Sequence, residues 1–415
     1  MNLKERINAA NDEALRRIVA ADPVLVDVAP ASEVIPGMRD RLILHSGPPV
    51  DWARMCGAQR GAAIGMCLFE GWAGDATEAE RMLASGEIAL APNHHHSAVG
   101  PMAGTTTRNM WVWVVENKAF GNKAYCRQVE SLQQFGDHSK DALAALDQWR
   151  DVWGPALRAA VRKMGGIPLK QIITRALLMG DEMHNRVVAS SSLFANAVSP
   201  VLVQCGLPAA QLVSTLYYVA NHPFLFLGLA MAAAKASVDP ARAVEASTVV
   251  TAMARNGTEF GIQVSGLDGE WFTAPAPRVQ GLLLPGWKEE DAGLDMGDSA
   301  ITETVGWGGA AIGGAPGILN FTGGTAEEAL AFSRDMRSIS VGTSPDYLLA
   351  ALNFEGTAVG IDIRKVVQTN TVPVIDTAIA HREPGHGIIG GGIVRPPLAC
   401  FAKALTGFAA RYKES

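Results

Sequence analysis

The chain has 415 residues, with 35 lysines and arginines against 41 aspartates and glutamates, giving a net charge of −6. That length exceeds what one hydrophobic core usually supports, and an apolar fraction of 48% excludes general disorder. The acidic balance argues against a nucleic-acid binder, which carries a basic face, and the 43 glycines follow no period and so exclude a collagen-like chain. Met1 to Ile7 mixes charges of both signs without an apolar segment and reads as an amphipathic helix, not a signal peptide. Val24 to Val28, bounded by Pro23 and Pro30, reads as a buried strand, and Arg41 to His45 as a second one. Helices are expected over Gln59 to Trp72 and Thr77 to Ala84, followed by strands at Glu87 to Ala91 and Met110 to Val115.

From Asp137 to Asn256 the pattern is helical. Leu169, Ile172, Ile173, Ala176 and Leu177 form one apolar face, Gly180 suits the stop of that helix, and Asp181 the cap of the next. The apolar stretch Ala197 to Ala236 is broken by Pro200, by Gly206-Leu207-Pro208, by Gln211 and by Asn221-His222-Pro223. Its longest unbroken run, Phe224 to Ala234, is too short to span a bilayer, so two buried helices are expected. Asp239-Pro240 opens a further helix expected to end at Asn256-Gly257. Beyond it, Phe260 to Val264 and Glu270 to Thr273 read as a hairpin, and Ile318 to Phe321, Val359 to Ile363 and Val372 to Ile379 as strands. Helices close the chain at Ala326 to Arg337, opened by Thr325, and at Leu398 to Tyr412. The expected fold class is α+β (mixed α/β) and multidomain, with mixed domains over 1–136 and 257–415, a mainly helical segment over 137–256, and discontinuous domains allowed. The five scattered cysteines form no C-x-x-C pair and suit a reducing cytosol. A soluble cytoplasmic protein without membrane contact is the expectation.

Four motifs carry candidate chemistry. His94, His95 and His96 follow a predicted strand and precede a Gly-rich turn, where sites commonly form. In extended backbone His94 and His96 would share a face, placed for proton transfer near pH 7 or as two metal ligands. A half-buried turn whose histidines satisfy carbonyls is the plainer reading, and no metal set is assigned. Gly180-Asp181-Glu182-Met183-His184-Asn185-Arg186 sits at a predicted helix start, where Asp181 and His184, and Glu182 and Arg186, have the spacing to meet. An Asp cap with a surface ion pair is the alternative there. Asn256 to Gly261 and Asp298 to Thr304 concentrate further polar groups. The Gly306 to Gly314 run lacks the spacing of a dinucleotide or phosphate loop. Pro384 to Gly392 reads as a flexible loop around His386.

Several strings together resemble one family. They are His45-Ser46-Gly47-Pro48-Pro49, His94 to Met102, Gly180 to Arg186, Asn256 to Gly261, Trp271 to Ala276 and Gly297 to Thr304. Spread from about Pro23 to Pro397, they are similar to the AllG/YlbE family, members of which are implicated as a subunit of oxamate carbamoyltransferase in allantoin and purine breakdown. The resemblance implies phosphorolysis of oxalurate to oxamate and carbamoyl phosphate, or the reverse. It also implies an FdrA-like partner subunit, a third small subunit, an oligomer and a small anionic substrate; no cofactor is assigned. For such a reaction His94, His95, His96, Asp181 and His184 are the catalytic candidates. Arg60, Asn185, Arg186, Asn256, Glu259, Asp298, Ser299 and Glu303 are candidates for holding substrate or orienting these groups. A metal-assisted amidohydrolase built on the triple histidine, and a non-catalytic scaffold subunit, are the competing expectations.

Overall fold

The computed structural model describes residues 2–128 and 132–413, so Met1, the first residue of the expected N-terminal helix, lies outside them. That helix spans Leu3–Val19, opens on a capping box between Asn2 and Glu5, and buries Ile7, Ala10, Ala14 and Ile18 at helical spacing. The fold is α+β, with helices packed around several small, mostly antiparallel sheets. The first sheet runs, edge to edge, through Ala98–Val99, Lys123–Arg127, Trp111–Asn117, Pro23–Pro30 and Ile167–Pro168. Leu42–His45 and Ala89–Pro92 pair in parallel beside it, and both release their loops at the same end. A four-stranded sheet follows the order Phe272–Pro275, Glu259–Val264, Val250–Asn256 and Met296–Gly297; a three-stranded one is built from Gln280–Leu283, Ile388–Val394 and Ile375–Ala380.

Between the sheets lies the helix Leu227–Val238, buried at every position. Its apolar residues leave no polar face for solvent, and its small ones let neighbours come close: Gly228 lies against the Trp113 indole. One side of this helix meets the first sheet, the other the 3-10 helix Ser299–Val305. The largest apolar cluster runs from Ile7 to Phe408 and draws on all parts of the chain. No helix among the described residues is long and apolar enough to cross a membrane.

Four expected elements differ. The helix expected from Asp239 to Asn256 is only a turn at Asp239–Ala241; Val250–Asn256 is a strand, paired with Glu259–Val264 across a turn at Gly257 (φ 74°). The β-branched run Thr248-Val249-Val250-Thr251 outweighs the helix-start signal of Asp239-Pro240. Ile318 to Phe321 is helical, and the chain leaves it at Gly323, whose positive φ of 77° suits glycine. The loop expected at Pro384 to Gly392 becomes the strand Ile388–Val394, whose glycines admit Gln280–Leu283 alongside and the Phe321 ring on Gly391. Finally, residues 181–187 are not helical. The helix begins at Val188, and Asp181 caps it from upstream by accepting from the Ala189 and Ser190 N–H groups at 3.1 and 2.8 Å.

A buried histidine–carboxylate site at both ends of one helix

The 3-10 helix Ser299–Val305 is buried throughout and carries an acidic residue at each end of a short rod. Asp298 precedes it. Its carboxylate accepts from Gly47 N at 2.7 Å, Asn93 Nδ2 at 3.0 Å and Gly100 N at 2.9 Å. These donors come from the loops after the parallel strands Leu42–His45 and Ala89–Pro92. At Gly47 (φ 85°) a side chain would strike the Arg255 backbone, so the close approach needs glycine. His94 lies beyond hydrogen-bond range, its Nε2 3.6 Å from Asp298 Oδ1, and it stands edge-on to Trp271 at 5.5 Å. Neither ring nitrogen of His94 has a hydrogen-bond partner. Burial, with the positive charge of Lys235 nearby, holds His94 well below its usual value, so it is neutral. Burial likewise pushes Asp298 up to about 7, against its three donors.

At the other end, Glu303 Oε1 meets His184 Nδ1 at 2.8 Å, and Glu303 Oε2 accepts from Thr302 Oγ1 at 3.0 Å. A Cβ at Gly308 would overlap Glu303 Oε1, so this loop, too, must be small. Glu182 turns its carboxylate back onto the backbone, accepting from His184 N, Asn185 N and Arg186 N. That bracket is what shapes 181–187 into a loop and aims His184 inward. Asp376, from the strand Ile375–Ala380, accepts from Asn185 Nδ2 at 3.2 Å through Oδ2, while its Oδ1 has no partner. Burial works to lower His184, but Glu303 and Asp376 outweigh it and raise the imidazole above its usual value. Burial, with the charge of Asp376, raises Glu182 well above its usual value; burial, with the charge of Glu303, raises Asp376 against His184 and side-chain hydrogen bonds to Asn185 and Glu182. Ligand atoms of His184, Glu303 and Asp376 all lie within 4.8 Å of one another.

Beside this cluster lies a narrow cavity of about 30 Å³. Pro101 and Met102 line it from the triple-histidine loop, His184 and Asn185 from the second motif, Ser299 from the 3-10 helix, and Thr377 from the strand carrying Asp376. Fully buried Arg255 braces the wall. It grips Asp295 with two bonds of 2.7 and 3.0 Å and donates to Ser299 Oγ and Thr377 Oγ1 at 3.3 and 3.1 Å.

The structure thus gathers His184, Asn185, Ser299 and Glu303 at one cavity, with Asp298 and His94 joined to them through the helix. The remaining expected residues sit elsewhere. The triple histidine forms a 3-10 turn, Asn93–His96, so its rings diverge and do not share the face expected of extended backbone. His95 Nε2 accepts from Trp271 Nε1 at 3.1 Å, and His96 Nδ1 meets the Pro36 carbonyl at 2.7 Å. A metal held by these three side chains does not fit that geometry. Asp181 is a helix cap, and Arg186 donates to the Gly180 carbonyl at 2.9 Å. Arg60 lies over the Trp52 ring and donates to the Ala53 carbonyl; Asn256 ties the hairpin turn to Pro48, and Glu259 pairs with Arg54 at 3.3 Å. Glu182, expected to meet Arg186, instead braces the loop, while Asp376 and Arg255 are not singled out by the sequence. A lone charge inside an apolar strand, as in Val374-Ile375-Asp376-Thr377-Ala378 or Ala252-Met253-Ala254-Arg255, is the signal that finds both.

Fold and site define an α+β protein with a small, mainly apolar cavity beside a buried histidine–carboxylate cluster. The model of the family described as "Oxamate carbamoyltransferase subunit AllG" matches residues 88–299. Oxamate carbamoyltransferase subunit AllG of Escherichia coli is 44% identical over 97% of this chain and 97% of its own. The uncharacterized protein YahG of the same organism is 46% identical over 99% of this chain and 88% of its own. A crystal structure of a conserved protein of unknown function from Enterococcus faecalis superposes with a TM-score of 0.97 at 44% identity, covering 99% of each chain. The chain belongs to the AllG family.

Proposed function

We propose that this chain is a subunit of a carbamoyl-transfer enzyme that interconverts oxalurate plus phosphate and oxamate plus carbamoyl phosphate. The observation that carries this reading is the His184–Glu303 pair beside a small, mainly apolar cavity whose polar lining includes His184, Asn185, Ser299 and Thr377. Carbamoyl transfer passes through a tetrahedral centre bearing an oxyanion. The departing oxamate nitrogen needs a proton in one direction and loses it in the other. His184, kept protonated by Glu303, donates that proton, and in reverse takes it back. Asn185 Nδ2 and the Ser299 and Thr377 hydroxyls are the donors within the cavity, and Arg255 fixes the last two. Asp298 positions the 3-10 helix that carries Ser299 and Glu303. Membership of the AllG family and the printed name of its Escherichia coli member support the reaction class. By the same likeness, the working enzyme is a cytoplasmic hetero-oligomer with an FdrA-like subunit and a third small subunit, serving purine and allantoin nitrogen catabolism.

The test co-expresses the chain with those partners and follows phosphate release from carbamoyl phosphate and oxamate. His184→Gln is expected to lower turnover by about a hundredfold or more, the range of a lost proton donor. No phosphate release in any combination of subunits refutes the reading. Full activity of His184→Gln in the assembled complex makes the chain a scaffold.

A further inference from the structure

We propose that His184, Glu303 and Asp376 form a binding site for one divalent first-row transition-metal cation, of the manganese or zinc class. Their ligand atoms lie within 4.8 Å of one another, and all three residues are 1% exposed or less. A cation with ligands at about 2.0–2.2 Å holds such atoms about 3 Å to about 4.4 Å apart, so His184 Nδ1 and Glu303 Oε1, 2.8 Å apart without it, open slightly while the wider separations close. One imidazole with two carboxylates suits manganese, iron or zinc better than calcium, which takes oxygen ligands alone.

Two further observations point to the cation. Asp376 Oδ1 is buried without a fixed donor, its other oxygen is held by Asn185, and the side chain otherwise shares only a proton with Glu182. A buried carboxylate so poorly supplied with donors costs free energy that a bound cation removes. The local charge is also unbalanced. Glu303 and Asp376 face one imidazole, beside a Glu182 carboxyl that burial keeps protonated, and the neighbouring guanidinium of Arg255 is committed to Asp295 by two bonds. The ligands are already oriented from behind. Thr302 Oγ1 donates to Glu303 at 3.0 Å, Gly309 N at 3.3 Å, and Asn185 Nδ2 to Asp376. Cation binding displaces the proton on His184 Nδ1, which leaves to solvent through the cavity.

The site stands without the carbamoyl-transfer reading; only its use rests on it. In the cation-bound form His184 is a ligand and no longer the proton donor, and the cation gives an anionic substrate the positive charge that the carboxylates lack.

The full chain, purified without a polyhistidine tag and stripped by chelator, is titrated with Mn²⁺ and separately with Zn²⁺. Calorimetry, paramagnetic resonance for Mn²⁺ and thermal unfolding provide the readouts. One cation per chain and a raised Tm are expected. Asp376→Asn and Glu303→Gln are expected to weaken binding by about tenfold or more, while Asp298→Asn at the far end of the helix keeps it. Should both ligand variants misfold, Asn185→Ala, which frees Asp376 from one side, is expected to weaken binding instead. No binding below about 1 mM of either cation, or affinity unchanged in these variants, overturns the site. Oxamate binding measured with and without Mn²⁺ tests the use separately. Cation binding without any effect on oxamate refutes the bridging use and leaves the metal site standing.

Discussion

The two ends of the helix Ser299–Val305 solve the same problem, a buried carboxylate, in opposite ways. Asp298 is saturated by three donors from two loops, and its histidine neighbour is neutral and unattached. Glu303 shares a histidine with Asp376, beside a third carboxylate, and one oxygen is left over. A carboxylate whose lone pairs are all met is a joint: it fastens the loops after two parallel strands to the helix. A carboxylate cluster short of donors stores repulsion and is built for something it must still receive. Structure at one end and chemistry at the other is the division this comparison teaches.

The largest effect expected breaks the joint. Asp298→Ala leaves the donors of Gly47, Asn93 and Gly100 facing nothing, at about 1–3 kcal/mol each before relaxation. Urea unfolding is expected to show a loss of about 3–5 kcal/mol, as for breaking a buried pair; a loss below 1 kcal/mol would mean that water replaces the carboxylate. Gly308→Ala attacks the opposite end. Its positive φ of 58° and the overlap with Glu303 Oε1 are expected to cost about 2 kcal/mol. Turnover of the complex should fall with it, and a fully active variant would show that Glu303 need not stay where it is.

The pH dependence of stability separates the two residues of the joint. Asp298 is raised to about 7 in the fold, against about 3.9 in the unfolded chain. Its contribution is therefore whole below about pH 3.9 and is lost as pH rises towards 7. His94, held below its usual value, acts in the other sense: its contribution is present above about pH 6.5 and is lost as pH falls. Unfolding measured in urea from pH 5 to pH 8 is expected to lose part of its decline between pH 5 and about pH 7 in Asp298→Asn. It should lose part of its decline below about pH 6.5 in His94→Gln. Unchanged slopes in both variants would dissolve the contrast. The smallest effect belongs to Trp271→Phe, which keeps a ring edge-on to His94 and removes the N–H given to His95. A change of about 0.5–1 kcal/mol, with the site intact, is expected from one exposed hydrogen bond.

Much of the fold was legible because its signals are local. The alternation and bounding prolines of Pro23–Pro30, the Thr325 capping box and the apolar stripe of Leu169–Leu178 each act within one element. Where local signals competed, the sequence misled. Asp239-Pro240 announces a helix, yet the valines and threonines after it find strand partners in Glu259–Val264. Glycines at 390 to 392 suggest a loop, but a strand edge and the Phe321 ring need their lack of side chains.

The site divided the same way. His184, Asn185, Ser299 and Glu303 stood out as crowded polar groups and meet at the cavity; Asp376 and Arg255 were hidden as single charges in apolar strands. The triple histidine drew attention because three imidazoles in a row are unusual. Only the 3-10 turn decides that one ring goes into the interior, one to Trp271 and one to Pro36.

By itself the sequence determined the fold class, the acidic balance and the family, since long ordered motifs carry that information along the chain. The tertiary structure decided which of those motifs face one another. Residues 94, 184, 298, 303 and 376 are brought together by sheet pairing and by one buried helix. Whether a buried charge is a joint or a site depends on how many donors reach it, and those donors arrive from segments up to 251 residues away.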